Sequence, residues 1–258
     1  MKPTALHILL AALACAGNAF AEPLTVASSG GFAAAYKQLV QQWQAHPGHD
    51  VRSEWGPSMG KTPNAIPARL ARNEPIDVVI MVGDALDKLM AEGLLVPGSK
   101  VALADSTIAC AVPQGESKPD IHTVEGLRSA LLAARTVAWS DSASGEYIER
   151  DMLAKLGIAE QVRPKGHKIP ATPVGEIVAK HEADFGCQQR SELLPVAGIE
   201  IVGDLPDEVQ YVTPFAAAIV AASPRQAEAR RFLDFLRTPQ NAEVIRQTGL
   251  VPRTAAKP

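Results

Sequence analysis

The pentapeptide GPSMG at residues 56–60 fits the G-x-S-x-G pattern in which hydrolases present a nucleophilic serine. Such a serine sits well inside a sheet, follows a backbone oxyanion loop, and precedes an acid and a histidine in the chain. Here Ser58 comes early, no HGG-type loop precedes it, and no later histidine lies in a predicted strand-end loop. We therefore expect Ser58 to donate a hydrogen bond to a bound anion rather than to attack a substrate.

Four small, polar loops, at residues 28–31, 56–61, 82–84 and 140–147, each follow a predicted strand and lead towards a predicted helix. Glycine lets a ligand approach the backbone, serine offers a neutral donor, and the start of a helix points N–H groups at an anion. Single clusters of this kind are also ordinary turns and helix caps, but four at equivalent strand ends predict an oxyanion pocket. The predicted ligand-binding residues in these loops are Ser29, Gly30, Gly31, Ser58, Met59, Gly60, Val82, Gly83, Ser142, Ser144 and Gly145.

Strand-like and helix-like segments alternate along the 258 residues, a length that suits one large domain or two lobes. The alternation predicts an α/β protein with mainly parallel sheets, whose ligands bind beyond the carboxyl ends of the strands. Helices are expected at residues 124–134, 145–156 and 175–180, and the C-terminal part is expected to be helical. The predicted strands are LTVASS, DVRSEW, IDVVIMV, STIACAV, RTVAWS, ADFGCQ, IEIVG and YVTPFAAAIVAA.

The first 21 residues have the layout of a secretory signal peptide. Lys2 is followed by an apolar run and by the small-x-small sequence that ends at Ala21, after which we expect cleavage. Lipoprotein processing at Cys15 is the alternative, although ALAC is a poor match to that signal. No later stretch approaches the ~20 apolar residues that span a bilayer, so the mature protein is expected to be soluble and periplasmic.

Composition excludes several classes of protein. The formal net charge of −3 and the absence of a basic stripe argue against nucleic acid binding. The histidines and cysteines lack the spacing of a metal site, and neither a metal nor an organic cofactor is expected. Cys110 and Cys187 remain after cleavage, as a disulfide or as two buried thiols.

Five segments follow one another along the chain: an exported leader, LTVASSGGFAAAYKQLVQQW, a serine loop, ARLARNEPIDVVIMVG and a terminal RRFLDFLRTPQNAEVIRQTGLVP. This order resembles the periplasmic substrate-binding proteins of the molybdate-binding type. The resemblance covers nearly the whole mature chain. It implies a type II periplasmic binding-protein fold, in which two α/β lobes close on a ligand cleft. By this resemblance residues 22–105 plus 215–258 form lobe one, residues 106–214 form lobe two, and the protein is a monomer.

The chain departs from that family in the expected pocket. Molybdate binders of this type commonly have a tyrosine just after the strand that here reads ADFGCQQRSE, whereas this chain has Gln188 and no tyrosine there. Lys61 follows the serine loop, and Arg150 and Arg190 lie near other predicted loops. These three cations either face the pocket or are solvated charges on the surface. Amides and cations suit a larger ligand with several carboxylates, so Gln188 joins the predicted ligand-binding residues.

These departures resemble the aconitate isomerase branch of the fold. Interconversion of trans- and cis-aconitate is an allylic proton shift, which needs donors for the developing charge and a group with a pKa near neutrality. Lys61, Glu146 and Tyr147 are the catalytic candidates. Other ionisable groups near the predicted pocket are Asp84, Asp141 and Glu176.

A transport receptor remains the alternative function. The same fold and a similar pocket would serve a receptor that captures an organic acid or a molybdate-like oxyanion and delivers it to an ABC permease. Turnover distinguishes the two functions.

Overall fold

The computed structural model describes residues 22–60 and 62–253, which form two α/β lobes. The predicted signal peptide and Lys61 lie outside the described residues. Within these ranges no helix combines the length and the apolar character needed to cross a membrane. The strands are β1 (Leu24–Ser28), β2 (Val51–Trp55), β3 (Val78–Val82), β4 (Val101–Ser106), β5 (Ile108–Pro113), β6 (Val137–Ser140), β7 (Gly166–Ile169), β8 (Phe185–Gln189), β9 (Ile199–Asp204), β10 (Thr213–Ile219) and β11 (Val251–Pro252).

The helices alternate with these strands, as the apolar periodicity predicts. Helix α1 shows this directly, because its apolar residues recur on one face and bury Phe32, Tyr36 and Leu39 against the first sheet. The helices are α1 (Gly30–Gln44), α2 (Ile66–Ala71), α3 (Gly83–Ala91), α4 (Val124–Ala133), α5 (Ala143–Tyr147), α6 (Leu153–Lys155), α7 (Ala159–Val162), α8 (Val174–Ala179), α9 (Arg190–Leu193), α10 (Gln226–Leu236) and α11 (Ala242–Gln247).

Each lobe has its own sheet and its own hydrophobic core. The first sheet has the strand order β11-β4-β10-β3-β1-β2, and the second has the order β7-β6-β8-β5-β9. Strand β3 is buried along its whole length, which explains its unbroken apolar sequence. The second core gathers around Trp139 and Phe185. The α/β prediction and the two-lobed arrangement are confirmed.

The sheets are mixed, so the prediction of mainly parallel sheets is wrong. In the first sheet β1 pairs in parallel with β2 and β3, but β10 runs antiparallel to both β3 and β4. In the second sheet β5 runs antiparallel to β8 and β9. The antiparallel strands flank the two passages between lobes. Strands β4, β7 and β11 were not predicted from the sequence, and the helix expected at residues 145–156 begins earlier, at Ala143, and includes a π-helical turn at Ile148–Met152.

Two passages of chain connect the sheets. The first crosses at Thr107 between β4 and β5, and the second returns between Asp204 and Thr213. The side-chain amide of Gln210 joins the passages, because it accepts from the Ile108 N–H at 2.9 Å and donates to the Ile108 carbonyl at 3.0 Å. The Gln210 side chain thus makes the two hydrogen bonds to Ile108 that a neighbouring strand would make, and it holds both connections side by side.

Cys110 and Cys187 form a disulfide, which decides between the two states left open by the sequence. The two residues lie directly opposite each other in the antiparallel pair β5–β8. Their separation of 77 residues means that the bond restricts a long loop in the unfolded chain. The disulfide therefore stabilises the lobe-two sheet beside Gln188.

We predict that Cys110→Ala combined with Cys187→Ala lowers the free energy of unfolding by about 2–4 kcal/mol, because the unfolded chain regains loop entropy. Urea titration of the oxidised wild type and the double variant measures the difference. Reductant should destabilise the wild type and leave the variant unchanged. Equal urea midpoints for the oxidised wild type and the double variant would contradict the prediction.

Candidate functional site

A cavity of about 240 Å³ lies between the lobes at the carboxyl ends of the central strands. Lobe one contributes the residues after β1 and β2 and the end of β3, and lobe two contributes the residues after β6 and the end of β8. Trp55, Val82, Ile169, Pro173 and Phe215 provide apolar surface. The cavity thus combines an apolar wall with polar groups from both lobes, as in small-molecule sites generally.

Helices begin around this cavity in both lobes. Helix α1 starts at Gly30 and α3 follows directly after Val82, while the shorter helices α5, α8 and α9 start beside the cavity in lobe two. The first N–H groups of a helix lack partners within it and carry partial positive charge. Among the described lining residues there is no lysine or arginine, so these neutral donors are the groups available to an anion.

Ser29 precedes α1 and lines the cavity. Its hydroxyl is buried and has no hydrogen-bond partner among residues 22–60 and 62–253. A buried hydroxyl without a partner is costly, and a ligand oxygen in the cavity would satisfy it. Gly31, two residues later, touches the ring of Phe215, where a Cβ atom would lie 2.2 Å from the ring. The start of α1 is therefore held tightly against the cavity wall.

Ser58 lines the cavity and is buried, with its oxygen accepting the N–H of Val82 at 2.9 Å. Because the oxygen is used as an acceptor, the hydroxyl hydrogen remains to be donated. No histidine is among the described lining residues, so the Ser–His pair of a serine hydrolase is not formed by them. The geometry matches a hydrogen-bond donor.

Lobe two presents a second set of hydroxyls and amides. Ser140 and Ser144 lie with their oxygens 3.3 Å apart, and Ser142 begins the same turn. The side-chain Oε1 atom of Gln188 accepts a hydrogen bond from the Val174 N–H at 2.7 Å, which fixes the orientation of the side-chain amide. These residues face the lobe-one serines across the cavity.

Glu192 also lines the cavity, and sequence analysis missed it. Burial raises the pKa of this carboxyl to about 7, and a hydrogen bond from Gln188 lowers it only in part. Its Oε1 atom would lie 2.0 Å from a Cβ atom on Gly30, so the carboxyl of lobe two rests against the first residue of α1 in lobe one. The available signal was its position just after a predicted strand, the same criterion that selected the other loops.

The structure brings most of the predicted ligand-binding residues to the cavity. Ser29, Gly30, Gly31, Ser58, Val82, Ser142, Ser144 and Gln188 all line it. The other predicted residues are outside the lining. Met59 packs against the lobe-one core, Gly60 faces Asp141, Gly83 packs on Pro214, and Gly145 lies against the Ser140 carbonyl.

The predicted catalytic residues that the structure describes lie away from the cavity. Glu146 is bound by Lys168 at 2.5 Å and by Arg150 at 2.9 Å. The Tyr147 hydroxyl donates to the Val209 carbonyl at 2.8 Å, and its ring stacks on Tyr211. Both side chains are engaged in lobe two, because α5 turns them away from the cleft.

The expected cations also lie elsewhere. Arg150 is mostly exposed and pairs with Glu146, and Arg190 pairs with Asp204 at 2.9 Å. Both form ion pairs outside the lining, which favours the alternative left open by the sequence, that they are surface charges. Of the remaining acids, Asp141 lines the cavity, while Asp84 and Glu176 do not.

The profile of the bacterial extracellular solute-binding proteins matches residues 24–251. The chain belongs to this family. An aconitate isomerase of Pseudomonas sp is 44% identical over 229 residues, which cover 89% of this solute-binding protein and 87% of that relative. The molybdate-binding protein of Escherichia coli (strain K12) is 23% identical over 92% of each chain.

Solved structures share the two-lobed fold. The periplasmic molybdate-binding protein of Azotobacter vinelandii matches with a TM-score of 0.69 and 22% identity, covering 88% of this chain and 98% of that one. The sulfate-binding protein SubI of Mycobacterium tuberculosis H37Rv matches with a TM-score of 0.70 and 16% identity, over 89% and 86% of the two chains. The resemblance predicted from the sequence is confirmed.

We predict that Ser29→Ala and Ser58→Ala each weaken binding of a carboxylate ligand by roughly 5- to 150-fold, because loss of one buried donor costs about 1–3 kcal/mol. Titration calorimetry with aconitate or citrate measures the change. Ser129→Ala, on the exposed face of α4, is the matched control and should bind like the wild type. Covalent labelling of Ser58 by a fluorophosphonate probe would contradict its role as a donor.

The raised pKa of Glu192 predicts a pH dependence of stability. Between its ordinary value of 4.5 and its folded value of about 7, the folded protein holds a proton that the unfolded chain has lost. The free energy of unfolding should therefore fall as the pH rises through this window, by at most about 1.4 kcal/mol per pH unit.

Glu192→Gln cannot lose a proton and should remove this contribution. Urea titrations across the window should show the variant gaining stability relative to the wild type as the pH rises. A difference between the two proteins that does not change with pH would contradict the assignment.

Proposed function

We propose that this protein is a periplasmic isomerase that interconverts trans- and cis-aconitate by an allylic proton shift. The observation that carries the proposal is the 44% identity to an aconitate isomerase over 89% of the chain, together with a cleft that holds both neutral donors and a carboxyl with a pKa near 7. A receptor needs only the donors. The added carboxyl is a group of the kind that proton transfer requires.

The allylic shift moves one proton and one double bond within the substrate. A base removes a proton from the methylene carbon of aconitate, and the electron pair of the broken C–H bond spreads over the allyl unit and the adjoining carboxylate. The double bond moves when a proton is added to the other end of the allyl unit. The product has the composition of the substrate, so no oxidant, reductant or second substrate is needed.

The cleft suits the charge of this intermediate. The negative charge that develops on a carboxylate oxygen is stabilised by donors that are already oriented, here the hydroxyls of Ser29 and Ser58 and the N–H groups at the start of α1. Ser142, Ser144 and Gln188 would hold a second carboxylate from lobe two. We assign substrate binding to these six elements of the lining. Closure of the lobes would exclude water from the reacting carbon.

Location and domain division are part of the proposal. Cleavage after Ala21 would release residues 22–258 into the periplasm, in keeping with a family of extracellular solute-binding proteins. We place lobe one at residues 22–105 plus 215–258 and lobe two at residues 106–214. The change of sheet at Thr107 and the return at Thr213 support this division.

We predict that the purified mature protein, without added cofactor, converts trans-aconitate to cis-aconitate. Proton NMR of the reaction measures the conversion, and in deuterated water the product should carry deuterium at carbon, since the proton is handled by an exchangeable group. The matched control is the same preparation unfolded in urea. Pretreatment with a chelator should leave the rate unchanged.

Thermal shift combined with the turnover assay separates the candidate functions. Aconitate at about 100 times its dissociation constant should stabilise the fold by roughly 2.7 kcal/mol. Stabilisation by aconitate without conversion at any pH would leave a receptor for organic acids. A large shift with molybdate and none with aconitate would return the protein to the oxyanion receptors.

A further inference from the structure

Helix α9 of lobe two contacts the start of α1 of lobe one beside the assigned donors. Helix α9 follows β8 directly, and its Ser191 hydroxyl donates to the Gly31 carbonyl across the cleft at 2.7 Å. The next residue, Glu192, places its carboxyl against Gly30. The two lobes therefore meet at this carboxyl, beside the donors that would hold the substrate.

We propose that Glu192 is the catalytic residue that carries the proton in the allylic shift, and that Gly30 positions it. This inference rests on the proposed isomerase function. The Glu192 carboxylate takes the proton from the methylene carbon, so that the C–H bond breaks and an O–H bond forms. The same carboxyl returns a proton to the other end of the allyl unit and is again a carboxylate.

Gly30 is needed because of the close approach. A Cβ atom at this position would lie 2.0 Å from Oε1 and 3.1 Å from Cδ of Glu192, so any side chain would push the carboxyl away. The obstacle is the end of a flexible side chain rather than backbone. Gly30→Ala should therefore displace the carboxyl without unfolding the protein.

Glu192 also faces a second cavity. Together with Gly30 and Pro173 it lines both the cleft and a cavity of about 580 Å³ between α1, α8 and α9. The carboxyl can thus exchange its proton with water behind the substrate. The charged groups that line the two cavities are Asp141 in the cleft and Lys37, Glu176 and Lys180 in the second cavity.

The surroundings give the carboxyl a suitable basicity. Desolvation raises the pKa of Glu192 to about 7, and the hydrogen bond from Gln188, which favours the charged form, offsets this only in part. At neutral pH a large fraction is therefore a carboxylate that can accept a proton. The negative charge of a bound substrate disfavours a second negative charge on Glu192, so the pKa of Glu192 in the complex should be at or above about 7.

The test compares Glu192→Gln, Gly30→Ala and a control with the wild type. Glu192→Gln keeps the shape of the side chain and should lower kcat by about 100-fold or more while aconitate still raises the melting temperature. Gly30→Ala should lower kcat by more than it raises KM. The matched control, Glu160→Gln, removes an exposed carboxyl of α7 that lines neither cavity and should keep the wild-type kcat.

The pH profile separates a catalytic role from a structural one. Wild-type kcat should rise with pH to a plateau with an apparent pKa at or above about 7, and the residual activity of Glu192→Gln should lack this limb. More than about one-tenth of the wild-type kcat in Glu192→Gln, or an unchanged limb, would overturn the inference and leave the isomerase function standing. A wild type that binds aconitate without converting it would fail the function itself.

Discussion

The cleft presents hydroxyls and backbone N–H groups without an adjacent cation among the described lining residues, and the proposed anion would have to be held by these neutral donors. Hydroxyls and backbone N–H groups provide less attraction than a guanidinium, so several must converge on one volume. Helices starting at strand ends achieve this convergence, because each start presents N–H groups that have no partner within the helix. This requirement explains why polar loops from both lobes end at the same cavity.

Convergence in turn requires close packing at the helix starts. Gly31 lies against Phe215, and Gly30 lies against Glu192, so neither position has space for a side chain. Ser58 is fixed by its bond to Val82, and Gln188 by its bond to Val174. Each donor is therefore oriented before a ligand arrives, and the entropic cost of ordering it is met during folding.

The sequence predicted the parts of the site that depend on local order along the chain. Ser29 follows the buried strand β1 and Ser58 follows the partly exposed edge strand β2, and position after a strand was enough to bring both to the cleft. Glu146 and Tyr147 were expected there for the same reason, but the direction of a side chain on a short helix depends on tertiary packing. Arg150 and Arg190 found carboxylate partners on the surface, which spacing alone does not reveal.

The fold was predicted with the same strengths and gaps. Unbroken apolar runs such as β3 identified the central strands, whereas β4 and β7 mix apolar with polar residues and are partly exposed. Strand β10 makes the first sheet mixed and β5 makes the second sheet mixed, and both follow from long-range pairing rather than from any local pattern. The disulfide likewise required the register of β5 against β8.

A cleft that binds carboxylates already has most of the groups that an isomerase of this type would need. The donors that hold a carboxylate would also stabilise the charge that develops when a proton leaves the neighbouring carbon. What is further required is a base, and a glutamate in water is a poor one, since its pKa lies near 4.5. At the junction of the lobes, burial makes Glu192 more basic by roughly two orders of magnitude. In this structure the carboxyl lies between the lobes against Gly30, so the contact that brings the two lobes together also places the proposed base beside the cleft.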